Sequence, residues 1–190
     1  MTIRVVGVMV VLAGRSVQGG EAGPARNRSV TIWVQPSADL AFGIAEQQAR
    51  PITARMFADI GVGIKWRDGL RSCPADGIRI SFSSDAPRDM RPGALAYALP
   101  YEGTHIEVFS DRVKQTVQPN RVPSLLAHVL AHEITHVLQG IVRHSGSGVM
   151  KASWDESDYC QMAWKPLPFT ELDVHLIHRG IDGRALSPPR

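Results

Sequence analysis

The stretch VLAHEITHVLQGIVRHSGSGVMK, residues 129–151, limits what this chain can fold into more than any other segment. Its first half belongs to VPSLLAHVLAHEITHVLQG, which reads as a strong helix with Pro123 near its first turn and Gly140 as the C′ residue. Within that helix His132 and His136 are four positions apart. Positions i and i+4 share one helix face about one turn apart, so both imidazoles can reach a single metal ion at about 2.0–2.1 Å. Glu133 is turned away by one residue. It is placed to take a proton from a metal-activated water rather than to ligate. The bland alternative is a histidine-rich helix that holds no metal, and it leaves the glycines and a third histidine unexplained.

A catalytic zinc takes three protein ligands and keeps a fourth position for water. His144 leads for the third place, under one geometric condition. Were the helix to continue, His144 would stand eight residues beyond His136, about 12 Å along the axis. The helix must therefore stop near Gly140, which can adopt the left-handed cap conformation. The segment Ile141–Arg143 must then double back, with SGSG giving the freedom to turn. Two acidic rivals exist. Glu156 follows His136 by 20 residues, the offset used by thermolysin-like zincins, and its neighbour Asp155 could serve similarly. Residues 153–158 show no clear helical pattern to aim either carboxylate. His128, one turn before His132, could support the site from behind, or close it as a fourth ligand.

The run HEITHVLQGIVRHSGSGVMK resembles the metzincin clan of zinc metallopeptidases, and more closely small exported bacterial zincins with the pattern H-E-x-x-H-x-L-x-G-x-x-x-H-S-x-x-G-[IV]-M. The resemblance is specific over residues 128–154 and thin elsewhere. It implies Zn²⁺ held by His132, His136 and His144, with Glu133 as general base. It also implies Met150 in a methionine turn, an apolar floor beneath the metal. Tyr159 would then be a candidate to stabilise an oxyanion, against the blander reading of a half-buried structural tyrosine. The resemblance further implies an N-terminal sheet whose edge strand binds an extended peptide, and THIEVFSD is the natural candidate for a strand near that cleft. This chain departs from the best-known metzincin spacing. Gly140 and His144 follow His136 by four and eight residues, where that pattern has three and six.

The rest of the chain sets the frame. At 190 residues it suits one domain with a proper core, and 44% apolar with 21% charged residues are ordinary globular values. The net charge of +3 is spread without a Lys/Arg block, so nothing points to nucleic acid. MTIRVVGVMVVLAG has Arg4 and then an apolar run too short to span a bilayer. Residues 1–22 therefore read as a secretory signal, with a secreted or periplasmic mature protein; the alternative is a buried first strand. No other segment has transmembrane length. Cys73 and Cys160 lie in no Cys-x-x-Cys motif; they would pair in an exported chain and stay thiols in a reducing compartment.

Residues 15–28 read as a linker, and Ser29–Gln35 as a strand. Leu40–Gly61 reads as a helix that Pro51 should kink or split. GIKW and Gly77–Ser84 read as strands, and Ala96–Asp111 as two short strands around a Glu-Gly turn. Tyr97, Tyr101 and His105 fall where a strand could line a cleft. After Met150 the chain looks irregular until a terminal helix, Phe169–Ile181, with Thr170 as N-cap, ahead of a disordered tail. His175 and His178 on that helix read as surface residues. The expectation is an α+β, zincin-like fold: residues 23–190 form one catalytic domain, with sheet and active-site helix over 28–140 and the third ligand, methionine turn and last helix over 141–190. The function expected is zinc-dependent endopeptidase cleavage of a peptide or protein. The alternative from another class is a metal-bearing binding or structural module without turnover, with a fourth protein ligand such as His128.

Overall fold

A computed structural model describes residues 28–186, apart from 70, 72, 75–76, 89 and 99–103. The signal reading of residues 1–22, nearly all of the linker, Tyr101, the Glu-Gly turn and the last four residues lie outside the described residues. The first strand, β1 (Arg28–Val34), alternates as a half-buried strand should, with Ile32 and Val34 facing the core. Helix α1 (Leu40–Ala58) follows, capped by Asp39, whose side chain accepts from the Phe42 backbone N–H at 3.1 Å. Its last turn ends in Gly61 at φ 75°, and the chain returns as β2 (Val62–Asp68), parallel to β1. Strand β3 (Ile78–Ser83) pairs with β1 on the other side. Strand β5 (His105–Phe109) pairs parallel with β3, and the three-residue β4 (Ala96–Ala98) pairs antiparallel with β5. The strand order is β2-β1-β3-β5-β4, so β4 is an edge.

Pro51 neither splits α1 nor ends it. Proline removes the bond to the carbonyl four residues earlier, here that of Gln47. Both residues are exposed, so water can satisfy that carbonyl. The opposite face of α1, with Phe42, Ala45, Ala49, Met56 and Phe57, is buried. Thr53 on that face donates to Ala127 O at 3.1 Å and ties α1 to the next long helix.

Beyond β5 come α2 (Ser110–Thr116) and then α3 (Val122–Gln139), which carries His128, His132 and His136. Helix α3 is buried from Leu125 through Leu138 without a break. A helix buried on all sides must be enclosed on all sides, and α3 packs against α1, β4 and the last helix, α5 (Glu171–Leu186). The approach of α5 is close. A Cβ at Gly180 would lie 1.7 Å from Leu138 O. Thr170 and Asp173 cap α5 reciprocally: Asp173 N donates to Thr170 Oγ1, and Thr170 N donates to Asp173 Oδ2.

Between α3 and α5 the chain is not wholly irregular. Glu156–Met162 forms a two-turn helix, α4, capped by Asp155, with Asp158 bonding back to the Asp155 N–H. At seven residues it is too short for an apolar stripe to show in sequence, and its capping box is what holds it. Helix α5 also runs past Ile181 to Leu186, through residues expected to be disordered. The α+β arrangement of sheet, long central helix and helical C-terminal part matches the expectation.

Candidate metal centre

Helix α3 ends at Gly140, in the left-handed conformation (φ 67°, ψ 18°), with its N–H bonded to His136 O at 2.9 Å. The chain then reverses. The His144 ring comes to 5.3 Å from that of His132 and 5.0 Å from that of His136, centroid to centroid. One nitrogen from each of the three rings lies within 4.8 Å of the others. The loop closes on itself: Ser145 N donates to Met150 O at 2.7 Å, and Val149 N donates to Pro168 O at 3.0 Å. Val149 and Met150 are fully buried, as a turn beneath the site requires.

The donor set fits a metal ion. His132 Nδ1 lies 2.9 Å from Val149 O, and His136 Nδ1 lies 3.2 Å from Ile141 O. A carbonyl oxygen only accepts, so both Nδ1 atoms carry the hydrogen and both Nε2 atoms present lone pairs. Those two Nε2 atoms stand 3.0 Å apart. Between neutral rings this is a lone-pair clash, relieved by a cation bound to both. Burial pushes the His132 imidazole down to about 3, with His136 adding to the effect. Burial also lowers His136 and His144, the latter helped by the nearby Arg91 and Arg143 charges. The three rings are therefore neutral and metal-competent at neutral pH. Three imidazole nitrogens, two of them on rings with carbonyl-fixed tautomers, suit zinc.

The rings open into a cleft of about 660 Å³, whose walls include Glu133, Tyr97, Trp154 and Tyr159. Burial raises the Glu133 carboxyl to about 8, against an opposing hydrogen bond from the Ala98 backbone. Ala98 belongs to β4, so the strand beside the cleft is β4 and not THIEVFSD. That run forms β5, an interior strand sandwiched between β3 and β4. Two strands are expected within Ala96–Asp111, and the first of them, only three residues long, is the one at the cleft. His105, on β5, turns its Nε2 to Ser81 Oγ at 2.8 Å. Tyr97 hydrogen-bonds Glu107 across the β4–β5 pair.

The rivals for the third ligand fall elsewhere. Glu156 is 81% exposed on its side chain and faces Arg121, and Asp155 caps α4 and contacts Lys151. His128 is wholly buried and spends both nitrogens: Nδ1 donates to Ser124 O at 2.7 Å, and Nε2 accepts from Leu167 N at 2.9 Å. It has no lone pair for a metal, and Trp154 stands between it and the site. That indole packs edge-on against both His128 and His132. Tyr159 is half-buried, and burial followed by the Asp158 charge raises its hydroxyl. His178 is not a plain surface residue, because its Nε2 donates to Ile60 O at 2.8 Å. Cys73 and Cys160 are not joined to each other: Cys73 faces Pro74 O, and Cys160 faces Glu156 and Arg121. Sequence reasoning missed the orienting carbonyls of Ile141 and Val149, the Ala98 N–H and the Trp154 wall.

No known protein-family profile matches the chain, and no curated protein matches it in sequence. Among solved structures it is similar to archaemetzincin from Methanopyrus kandleri, with a TM-score of 0.54 over 84% of this chain and 99% of that one. The chain shares that fold. Sequence identity is only 14%, so the likeness lies in the arrangement of sheet and helices. Among the described residues no helix is long and apolar enough to cross a membrane.

Proposed function

We propose that this chain is a zinc-dependent metalloendopeptidase acting on extended peptide segments. The observation that carries the reading is the convergence of His132, His136 and His144 within 4.8 Å, at the floor of a cleft that also holds Glu133. The archaemetzincin-like fold supports it. Zinc held there supplies Lewis acidity, polarising a carbonyl oxygen and acidifying a water.

The chain's own groups do the rest. Val149 O and Ile141 O fix the His132 and His136 tautomers so that Nε2 faces the cleft. Among the described strands β4 is an edge of the sheet, and its outer side offers backbone groups to an extended peptide, which would add as a further strand. The Glu133 carboxyl, raised by burial, ionises when a cation is held alongside it. As carboxylate it accepts a proton from water attacking the scissile carbonyl. It then hands that proton to the departing amine nitrogen. Tyr159 lines the same cleft and is available to hydrogen-bond the developing oxyanion.

The test is digestion of a mixture of unstructured peptides, read by mass spectrometry. Cleavage that stops on chelation and returns on adding zinc supports the proposal. A pure protein that takes up no zinc at its three-histidine site would sink it. Neither alternative is favoured by an observation, since Glu156 faces solvent and His128 has no free nitrogen.

A further inference from the structure

His144 differs from its two companions. His132 and His136 sit on a buried helix, and a backbone carbonyl orients each ring. His144 sits on an exposed loop, and among the described residues no carbonyl or carboxylate orients its ring. Its placement must come from the backbone on either side.

That backbone is held from one point. Asp173, in the first turn of α5, is 0% exposed. Its Oδ1 accepts from Arg143 Nη1 at 2.7 Å and from Ser145 Oγ at 2.8 Å, the residues immediately before and after His144. Its Oδ2 accepts from Thr170 N at 3.0 Å and Thr170 Oγ1 at 2.6 Å, which anchors the carboxylate to the start of α5. The Asp173 backbone carbonyl also receives Gln139 Nε2 at 3.5 Å, from the last residue of α3. A buried charge is retained only when its partners satisfy it. Here four hydrogen bonds do so, and two of them straddle the third imidazole. An N-cap needs only the Oδ2 half of this arrangement.

We propose that Asp173 is a positioning residue for the metal site: its buried carboxylate clamps Arg143 and Ser145, and thereby sets where the His144 ring meets those of His132 and His136. The inference rests on the reading of His144 as a metal ligand. It assigns to α5, which contributes no group to the cleft, control over metal affinity.

The experiment measures zinc affinity of the full chain by competition with a chromophoric chelator, and folding of the metal-free forms by circular dichroism and thermal denaturation. Asp173→Ala should weaken zinc binding about tenfold or more, in the range of losses from groups that orient ligands. Because Asp173→Ala also removes a helix cap and could unfold the chain, the double variant Arg143→Ala/Ser145→Ala is measured beside it. That variant releases the His144 backbone and leaves the Thr170 cap intact, and it should show a similar loss. Asp173→Asn, which still accepts but lacks the charge, should recover part of it. In a His144→Ala background, removing Asp173 should change affinity less than about twofold, since the ring it positions is gone. Wild-type affinity in Arg143→Ala/Ser145→Ala overturns the proposal, as does an undiminished Asp173→Ala effect without His144. Wild-type affinity in His144→Ala instead overturns the ligand reading itself, and this inference with it.

Discussion

The Nδ1–H of His132 points to Val149 O, 2.9 Å away and 17 residues later in the chain. That bond joins the central helix to the turn beneath the site and decides which nitrogen of His132 faces the cleft. The turn is held in place by Gly148, whose φ is 76° and where a Cβ would lie 2.2 Å from Pro168 O. Both the backbone conformation and the space therefore demand glycine. Gly148→Ala should displace Val149, cost about 1–3 kcal/mol of stability, and lower zinc affinity at least several-fold. Thermal denaturation with chelator competition checks this. Unchanged affinity in a destabilised variant would separate the turn from the metal site.

Two glycines of α5 should respond oppositely to the same change. At Gly180 a Cβ would overlap Leu138 O at 1.7 Å, while at Gly183 nothing lies within 4 Å. Gly180→Ala should lower stability by about 2–3 kcal/mol by forcing α5 off the end of α3. Gly183→Ala should raise it by about 0.5–1 kcal/mol, as alanine in an unobstructed helical position does. Urea titrations of both variants decide the matter. Equal effects would mean that α5 does not pack on Leu138 as described.

Much of this was readable because it is local. The helix, its stop at Gly140 and the reversal that brings His144 back all follow from spacing, helical rise and one glycine's freedom at positive φ. What was not readable depends on partners far away in the chain. Asp173 looks in sequence like an ordinary acidic first-turn residue, and only the fold carries it to Arg143 and Ser145. Whether His128 supports the site or closes it as a fourth ligand stays open in the sequence until Leu167 occupies its second nitrogen. That β4 rather than β5 lies beside the cleft shows only in the sheet order, which puts β5 inside and β4 at the edge. Pro51 reads as a breaker because its solvent exposure is a tertiary property.

Stability of the metal-free chain should peak near pH 6.5. Burial lowers His128 to about 4 and His132 to about 3. For both, the unfolded state binds more protons below the ordinary value of 6.5, so stability falls as pH drops from there. His128 alone accounts for about 3 kcal/mol by pH 4. Glu133 has the opposite sign. With its folded value raised to about 8, its contribution is fully present below 4.5 and lost as pH rises toward 8. Between 4.5 and 6.5 the two histidines outweigh the one carboxyl, and above 6.5 the carboxyl acts alone. Urea midpoints across pH, taken after metal removal, should trace this maximum. Glu133→Gln should flatten its alkaline side.

Glu133→Gln also isolates the proton-transfer step. Glutamine keeps the size and shape of the side chain and can still meet the Ala98 N–H through its carbonyl oxygen. It cannot accept a proton from water at any accessible pH. Because Glu133 is not one of the three converging imidazoles, the variant should bind zinc with an affinity close to that of wild type. Hydrolysis should fall by about 10²–10⁴-fold, the contribution of a positioned general base. Loss in kcat with little change in KM is the expected pattern if peptide is held, as proposed, by the β4 edge and the cleft walls rather than by the carboxylate. A zinc-loaded variant that cleaves as fast as wild type would remove Glu133 from the mechanism and leave the three histidines as a metal site of another kind.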